Sequence, residues 1–389
     1  MGKPRILIVH ELWWPRGRGG VLATHLITEM LAKHGFEIRV VTGVRDYEAI
    51  SSVDFIYEPR LRASSKLRLW LNTYMLSKEG WFRGLIEWAD IVYIPRYAYS
   101  LIPIAKDLGK RVVVHLHDYQ PISYTAVIFH NDLFKSDFKR TFHYELHQHG
   151  LARALITTPL TPINRLARKW VSQADVVICV SDRQREIVEK AMPEIKSKLV
   201  VIYNPPPKIP PISKELPEEK TLLYIGGSSF IKGFHIVLEA VNEVSKKYRD
   251  LKVVMTGVRK NVAGQNYVVY EELPYEEVVK LHTRAYGLLF PSIWEEPLPY
   301  AVVESMLLGT IPIASKVGGI PEIVAGTVAE RFLFKPGDVK SFAEKICRLL
   351  ACSRNELIDT GIRLRNHALK LFDASIIENK FVFLFESLS

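Results

Sequence analysis

Apolar residues in the first half of the chain gather in short runs. They fall at residues 6–10, 38–42, 91–94, 112–116, 155–158 and 176–180, each short enough for a buried strand and too short for a helix. Amphipathic segments separate them. In residues 22–34, for example, apolar side chains recur at three- and four-residue spacing, as on one face of a helix. Strands that alternate with helices predict an α/β fold, a parallel sheet with helices on both faces. In such sheets ligands bind beyond the carboxyl ends of the strands.

Residues 203–211, YNPPPKIPP, interrupt the pattern with five prolines in nine positions. Proline has no N–H and a fixed φ, so this stretch reads as a stiff connector. Alternation then resumes. A strand at 221–225 leads to a glycine turn (Gly226, Gly227), Lys232-Gly233 and a helix to Lys247. Strands at 252–256 and 267–270 follow, then a helix through Leu281, a strand at 287–290 and a proline-marked loop. Gly318-Gly319 and Pro321-Glu322 mark a further loop before a helix, and a helical run is expected from Ser341 to the C-terminus. Two Rossmann-like units are therefore expected: residues 1–204, and residues 205–367 after the connector.

The chain has 389 residues, 48% hydrophobic and 24% charged, which is ordinary globular composition and favours two domains. The first strand begins almost at the N-terminus, with no leader pattern, and no uncharged apolar run reaches 18 residues. Three scattered cysteines argue for a reducing compartment and against a disulfide framework or zinc site. A cytoplasmic location is expected. Net charge is +10, and nine of those ten charges belong to residues 1–204. Residues 60–111 alone carry ten Lys and Arg against four acids, interleaved with Trp70, Tyr74 and Trp81. Such a segment suits peripheral contact with an anionic membrane. No nucleic-acid recognition module is present.

Candidate chemistry concentrates in residues 291–309, PSIWEEPLPYAVVESMLLG. Glu296 and Glu304 stand eight apart. Eight helical residues would rise about 12 Å, so the two carboxylates are not one proton-sharing dyad. With Glu296 on the loop and Glu304 one turn into a helix, both reach one elongated ligand, and the helix N-terminus between them suits a phosphate. In the first half, WPRGRGG at residues 14–20 lets backbone approach a phosphate or sugar. It is not the dinucleotide fingerprint, whose third glycine would fall at Leu22. His117 ends a strand where a site is expected, and His115 is read as pointing to the opposite side as a buried or paired residue. His143 and His147 lack the glutamate that a metalloprotease helix needs directly after the first histidine; Tyr144 stands there.

These pieces together resemble the family-four retaining nucleotide-sugar glycosyltransferases of the GT-B fold. The residues that carry the likeness are Gly19-Gly20, His117, Ala174-Asp175, Val180-Ser181 and Asn204-Pro205. They continue with Gly226 through Lys232-Gly233, Phe290-Pro291-Ser292, the Glu296/Glu304 pair, residues 318–322 and residues 336–338. The resemblance implies two Rossmann-like parallel-sheet domains facing a cleft: residues 1–204 on the acceptor side, residues 205–367 holding the donor, and residues 368–389 crossing back as a helix. It implies no metal and no cofactor beyond the sugar nucleotide, UDP- or GDP-linked, as substrate.

The resemblance also implies roles. Lys232 would hold the diphosphate and Glu304 the ribose hydroxyls. Glu296 and His117 would touch the sugar, and Leu273 would meet the base through its backbone. Gly19, Gly20, Gly226, Gly227, Leu298 and Tyr300 belong to the donor-binding set. Two positions depart from the family pattern: Gly227 stands where an arginine is usual, and Pro299 replaces a glycine. The expected activity is retaining, metal-independent transfer of a hexose to an acceptor hydroxyl on a glycan or lipid-linked acceptor. The alternative is a non-catalytic nucleotide-sugar-binding protein.

Overall fold

The computed structural model describes residues 2–17, 19–209 and 214–388. Arg18 of the glycine-rich turn and the last prolines of the connector, 210 and 211, lie outside them. Two sheets organise the chain. The first contains β1 (Ile6–His10), β2 (Ile38–Thr42), β3 (Val53–Tyr57), β4 (Ile91–Ile94), β5 (Arg111–Leu116), β6 (Val176–Cys179) and β7 (Leu199–Val201). The second contains β8 (Thr221–Tyr224), β9 (Lys252–Thr256), β10 (Tyr267–Tyr270), β11 (Gly287–Phe290), β12 (Ile311–Ser315) and β13 (Leu333–Phe334). Strand orders are 3-2-1-4-5-6-7 and 10-9-8-11-12-13, every pairing parallel. Each order reverses direction once, between β1 and β4 and between β8 and β11. Those are the points where loops splay apart and leave a crevice.

Helices α1 (Gly19–Lys33), α2 (Lys66–Leu76), α3 (Gly80–Trp88), α4 (Leu101–Asp107), α5 (Asp137–His149), α6 (Leu151–Thr157), α7 (Asn164–Val171) and α8 (Asp182–Ala191) accompany the first sheet. The rest are α9 (Phe234–Ser245), α10 (Tyr275–Arg284), α11 (Tyr300–Leu307), α12 (Ile320–Val324), α13 (Val339–Leu350), α14 (Arg354–Leu371) and α15 (Ala374–Glu386). The central strands are buried along their length, as sheets covered on both faces require. α15 lies against the first sheet's helical layer: Phe385 meets Phe36 and Tyr93 edge-on, and Phe381 approaches His115. Among the described residues no helix is long and apolar enough to cross a membrane.

The structure corrects parts of the sequence reading. Residues 155–158, read as a strand, end α6 and enter a 3-10 turn (Thr158–Ile163). Their β-branched run looked strand-like, and tertiary context overrode it. Four strands were not read. β3 is a half-buried edge, β7 and β13 are very short, and β12 contains Pro312, a residue that argues against a central strand. The single C-terminal run is three helices. Ser353 and Glu356 form a capping box that starts α14, and Asp373 accepts from Ser375 N and Ile376 N to start α15.

Candidate active site

The second sheet's crevice is built by the loops after β8 and β11. The β8 loop turns sharply at Gly226 and Gly227. Gly227 has φ +62, and a Cβ there would lie 2.8 Å from Gly257 O. Gly233, at φ +75, caps α9, and a Cβ on it would lie 2.0 Å from Pro291 O. Only glycine permits that approach, and it brings Lys232 against the β11 loop. There Lys232 Nζ donates to Glu296 Oε1 at 2.5 Å, joined on the same oxygen by Ser292 Oγ at 2.8 Å and Trp294 Nε1 at 2.6 Å. Glu296 is buried, and Lys232 lies over the Phe290 and Trp294 rings. The pair is thus a fixed, charge-assisted cluster at the crevice floor.

Glu304 sits one turn into α11. It is buried, and Tyr275 Oη donates to its Oε1 at 2.8 Å. Burial pushes its carboxyl up to about 7, with the tyrosine's hydrogen bond pulling the other way. Pro299 is the residue before α11, whose first turn bonds back to Pro299 O from Val302 N and Val303 N. Leu298 is buried beneath this turn. Leu273 is half-buried in the loop two residues before Tyr275.

The first domain meets this crevice with the turn after β1. A Cβ on Gly19 would lie 2.9 Å from Tyr300 Cδ2, and one on Gly20 would lie 3.0 Å from His117 Cγ. Tyr300 Oη in turn donates to Pro205 O at 2.6 Å, and Trp14 packs edge-on against Tyr275. A chain of direct contacts therefore runs from His117 through the glycine turn to α11. Burial holds the His10 and His117 imidazoles down to about 3, so both are neutral near pH 7. His10 Nε2, Glu11 Oε2 and His117 Nε2 are buried without a hydrogen-bond partner. Buried polar atoms left unpaired are rare, which marks these three as candidates to bond a polar ligand. His115 and His117 do not point to opposite sides: their rings are 4.2 Å apart, because strand residues two apart share a face. His115 Nδ1 pairs with Tyr93 Oη at 2.8 Å.

Two carboxylates that the sequence reading did not assign clasp the domains together. Glu295 accepts from His130 Nδ1 at 2.8 Å and Gly318 N at 2.9 Å, and pairs with Arg183 at 3.4 Å. Glu322 accepts from Asp182 N at 3.0 Å and Arg183 N at 2.7 Å, capping α8 from the other domain, and from Tyr203 Oη at 3.1 Å. Ser181 Oγ donates to Pro297 O at 2.6 Å. Tyr275 was also missed. No role could be read for them from neighbouring residues, because their partners lie 23 to 165 positions away in the chain. No group of three or more metal-ligating side chains occurs among the described residues.

Comparison with known proteins places this geometry. The model of "Glycosyltransferase Family 4" matches residues 17–205, and that of "Glycosyl transferases group 1" matches residues 207–363. Spore coat protein SA of Bacillus subtilis is 26% identical over 152 residues, 35% of this chain and 40% of that protein, so the chain spans under half of that relative's length. The uncharacterized glycosyltransferase MJ1607 of Methanocaldococcus jannaschii is 23% identical over 384 residues, 89% of each. Among solved structures, sucrose-phosphate synthase of Thermosynechococcus elongatus superposes with TM-score 0.74 at 15% identity, over 99% of both chains. Anabaena Alr3699/HepE in complex with UDP-glucose superposes with TM-score 0.67 at 15% identity, over 99% of this chain and 100% of that one. With its two parallel-sheet domains and the two models matched end to end, the chain belongs to the family-four glycosyltransferases of the GT-B fold.

Proposed function

We propose that this protein transfers a hexose from a UDP- or GDP-sugar to an acceptor hydroxyl, with retention of anomeric configuration and without a metal. The observation that carries the reading is the Lys232–Glu296 pair, on the loops that follow β8 and β11, with Glu304 on α11 just beyond and with the first domain's glycine turn packed between Tyr300 of α11 and His117. The HepE structure with UDP-glucose supports a sugar nucleotide as donor. In this reading the ribose hydroxyls donate to Glu304. Glu296 receives a sugar hydroxyl, and neutral His117 bonds another from the opposite wall. The base stacks near Leu273, and Trp14 and Tyr275 close over the nucleoside. The C1–O bond to the diphosphate breaks, and the Lys232 ammonium offsets the charge that develops on the departing oxygen. The acceptor hydroxyl attacks the same face and its proton leaves with the diphosphate.

Gly227 removes one cation from the usual clamp. The β9 loop lies against this turn, where Arg259 N donates to Ser228 Oγ at 3.0 Å, and we assign Arg259 the missing phosphate contact. The acceptor is proposed to be a glycan that is anionic or lipid-linked, reached by peripheral contact of the first domain with an anionic membrane at the cytoplasmic face. Residues 60–111 support that contact: Leu71, Tyr74, Met75 and Trp81 are exposed among their lysines and arginines.

The test is incubation with labelled UDP- and GDP-sugars, reading hydrolysis, transfer and product anomer by NMR. Turnover of one donor with its configuration kept supports the proposal, and inversion or inertness towards all of them rejects it. Gly227 and Pro299 favour a second reading, a protein that binds the nucleotide sugar without turning it over; binding without product release in the same panel selects it.

A further inference from the structure

The helical run made of α6, the 3-10 turn and α7 is packed inside out. Its buried positions are Ala154, Thr158, Thr161, Asn164, Ala167 and Val171, mostly small or polar. Its large apolar side chains face solvent: Leu151 is 57% exposed, Leu155 59%, Ile156 72%, Leu160 37% and Leu166 45%. Just upstream, Phe134 and Phe138 are 87% and 56% exposed. Scattered exposed apolar residues need no explanation, but a contiguous face of them marks an interaction surface. The face continues onto α2, because Trp70 of α2 packs edge-on against Trp170 of α7. Leu71, Tyr74 and Met75 stand exposed beside it.

Its charges select the partner. Between residues 134 and 174 the carboxylates are two, both engaged within the protein: Asp137, half-buried and accepting from Tyr124 N at 2.9 Å, and Glu145, buried and paired with Arg153 at 3.1 Å. Lys139, Arg165 and Lys169 are exposed around the apolar side chains. A second copy docked on this face about a two-fold axis would set these cations against themselves. An anionic bilayer meets both features: apolar side chains enter the headgroup boundary while cations meet lipid phosphates. We propose that residues 134–169 of the first domain are an anionic-membrane docking face, with the helical run of α6 and α7 lying in the interface plane. This goes beyond residues 60–111, and it rests on the proposed function only for the idea that the acceptor comes from the membrane. The face adjoins the crevice. α5, which packs on α6, stacks His147 on Phe230 and accepts from Phe230 N through Gln148, two residues before Lys232. Docking here brings the bilayer surface to the domain that faces the donor.

The experiment is co-sedimentation of the full chain with phosphatidylcholine vesicles, with and without phosphatidylglycerol, at low and high salt. Wild type is expected to sediment with the anionic vesicles only, and less so in high salt. The double variant L155E/I156E is expected to lose vesicle affinity by roughly tenfold or more. The charge variant R165E/K169E is expected to lose the preference for phosphatidylglycerol. Thermal melts and donor hydrolysis are expected to stay unchanged in both, since no core or crevice residue is altered. Equal sedimentation with neutral vesicles, none at all, or wild-type binding by both variants would overturn the proposal. So would a wild-type dimer that L155E/I156E dissociates while vesicle binding persists, because a second copy would then be the occupant. Vesicle binding without turnover of any donor would instead leave the docking face standing and reject the transferase reading.

Discussion

Glu304 is where burial, titration and proposed ligand recognition meet. Its folded pKa of about 7 lies above the unfolded carboxyl value, so the folded protein holds this proton over a wider pH range. The stability it contributes is fullest below about pH 4.5 and falls as pH rises to about 7, by on the order of 3 kcal/mol. Glu304→Gln lacks that slope. Its melting temperature is expected to gain on the wild type's from about pH 4.5 to about pH 7 and to keep a constant lead above that; parallel curves throughout would contradict the assignment. In the proposed reading ribose hydroxyls bond the carboxylate more strongly than the neutral acid, because the bond to the ionised form is charge-assisted, so donor affinity is expected to rise as pH passes through about 7 in wild type and to be flat in Glu304→Gln. Tyr275→Phe removes the hydroxyl bonded to Glu304, and is expected to weaken nucleotide binding by about tenfold, the loss of roughly 1.5 kcal/mol. The eight-residue spacing of Glu296 and Glu304 could be read directly from the chain. Tyr275 could not, because its partner is 29 residues away and neither neighbour hints at it. The reading of His115 and His117 failed for a simpler reason: the period of a strand is two, which sets them side by side.

Loops and helix ends do the positioning. Gly318, at φ +51, lets the β12 loop pass so close to the β11 loop that a Cβ would lie 1.8 Å from Glu296 O. Gly318→Ala is expected to cost on the order of 2–4 kcal/mol in urea denaturation and to displace Glu296. A stability within 0.5 kcal/mol of wild type would contradict the close approach. Glu322 supplies α8 with a cap from across the domain boundary, through two backbone N–H groups. Glu322→Ala is expected to raise the radius of gyration in solution scattering and to raise the donor KM, since the clasp opposes opening. An unchanged profile would mean that Glu295 and Ser181 suffice. The alternation of strands and helices was visible in the sequence because the central strands are short runs buried on both faces. The exception is residues 155–158, where the apolar pair Leu155 and Ile156 faces outward and Thr158 inward, and a pattern of side chains alone does not say which way a segment turns.

Taken as one body, the protein is two parallel sheets tied by the connector, by the Glu295 and Glu322 clasp and by α15. That last helix follows the second domain in sequence yet completes the first domain's aromatic core through Phe381 and Phe385. Phe385→Ala is expected to cost about 3–5 kcal/mol by leaving a cavity beside Phe36 and Tyr93, read as a lowered thermal midpoint. The two-domain plan was evident from the proline connector and the resumed alternation. The clasp was not, because it depends on how two separately folded sheets face each other. The central claim is that the second domain grips a nucleoside diphosphate through Lys232 and Glu304. Titration calorimetry of UDP and GDP with wild type, Lys232→Ala, Glu304→Ala and His117→Ala tests it most directly. The account predicts that wild type binds one nucleotide, that Lys232→Ala and Glu304→Ala each weaken it by about ten- to a hundredfold, and that His117→Ala leaves it unchanged. Binding of neither nucleotide by wild type, or undiminished binding by the Lys232 and Glu304 variants, would contradict it.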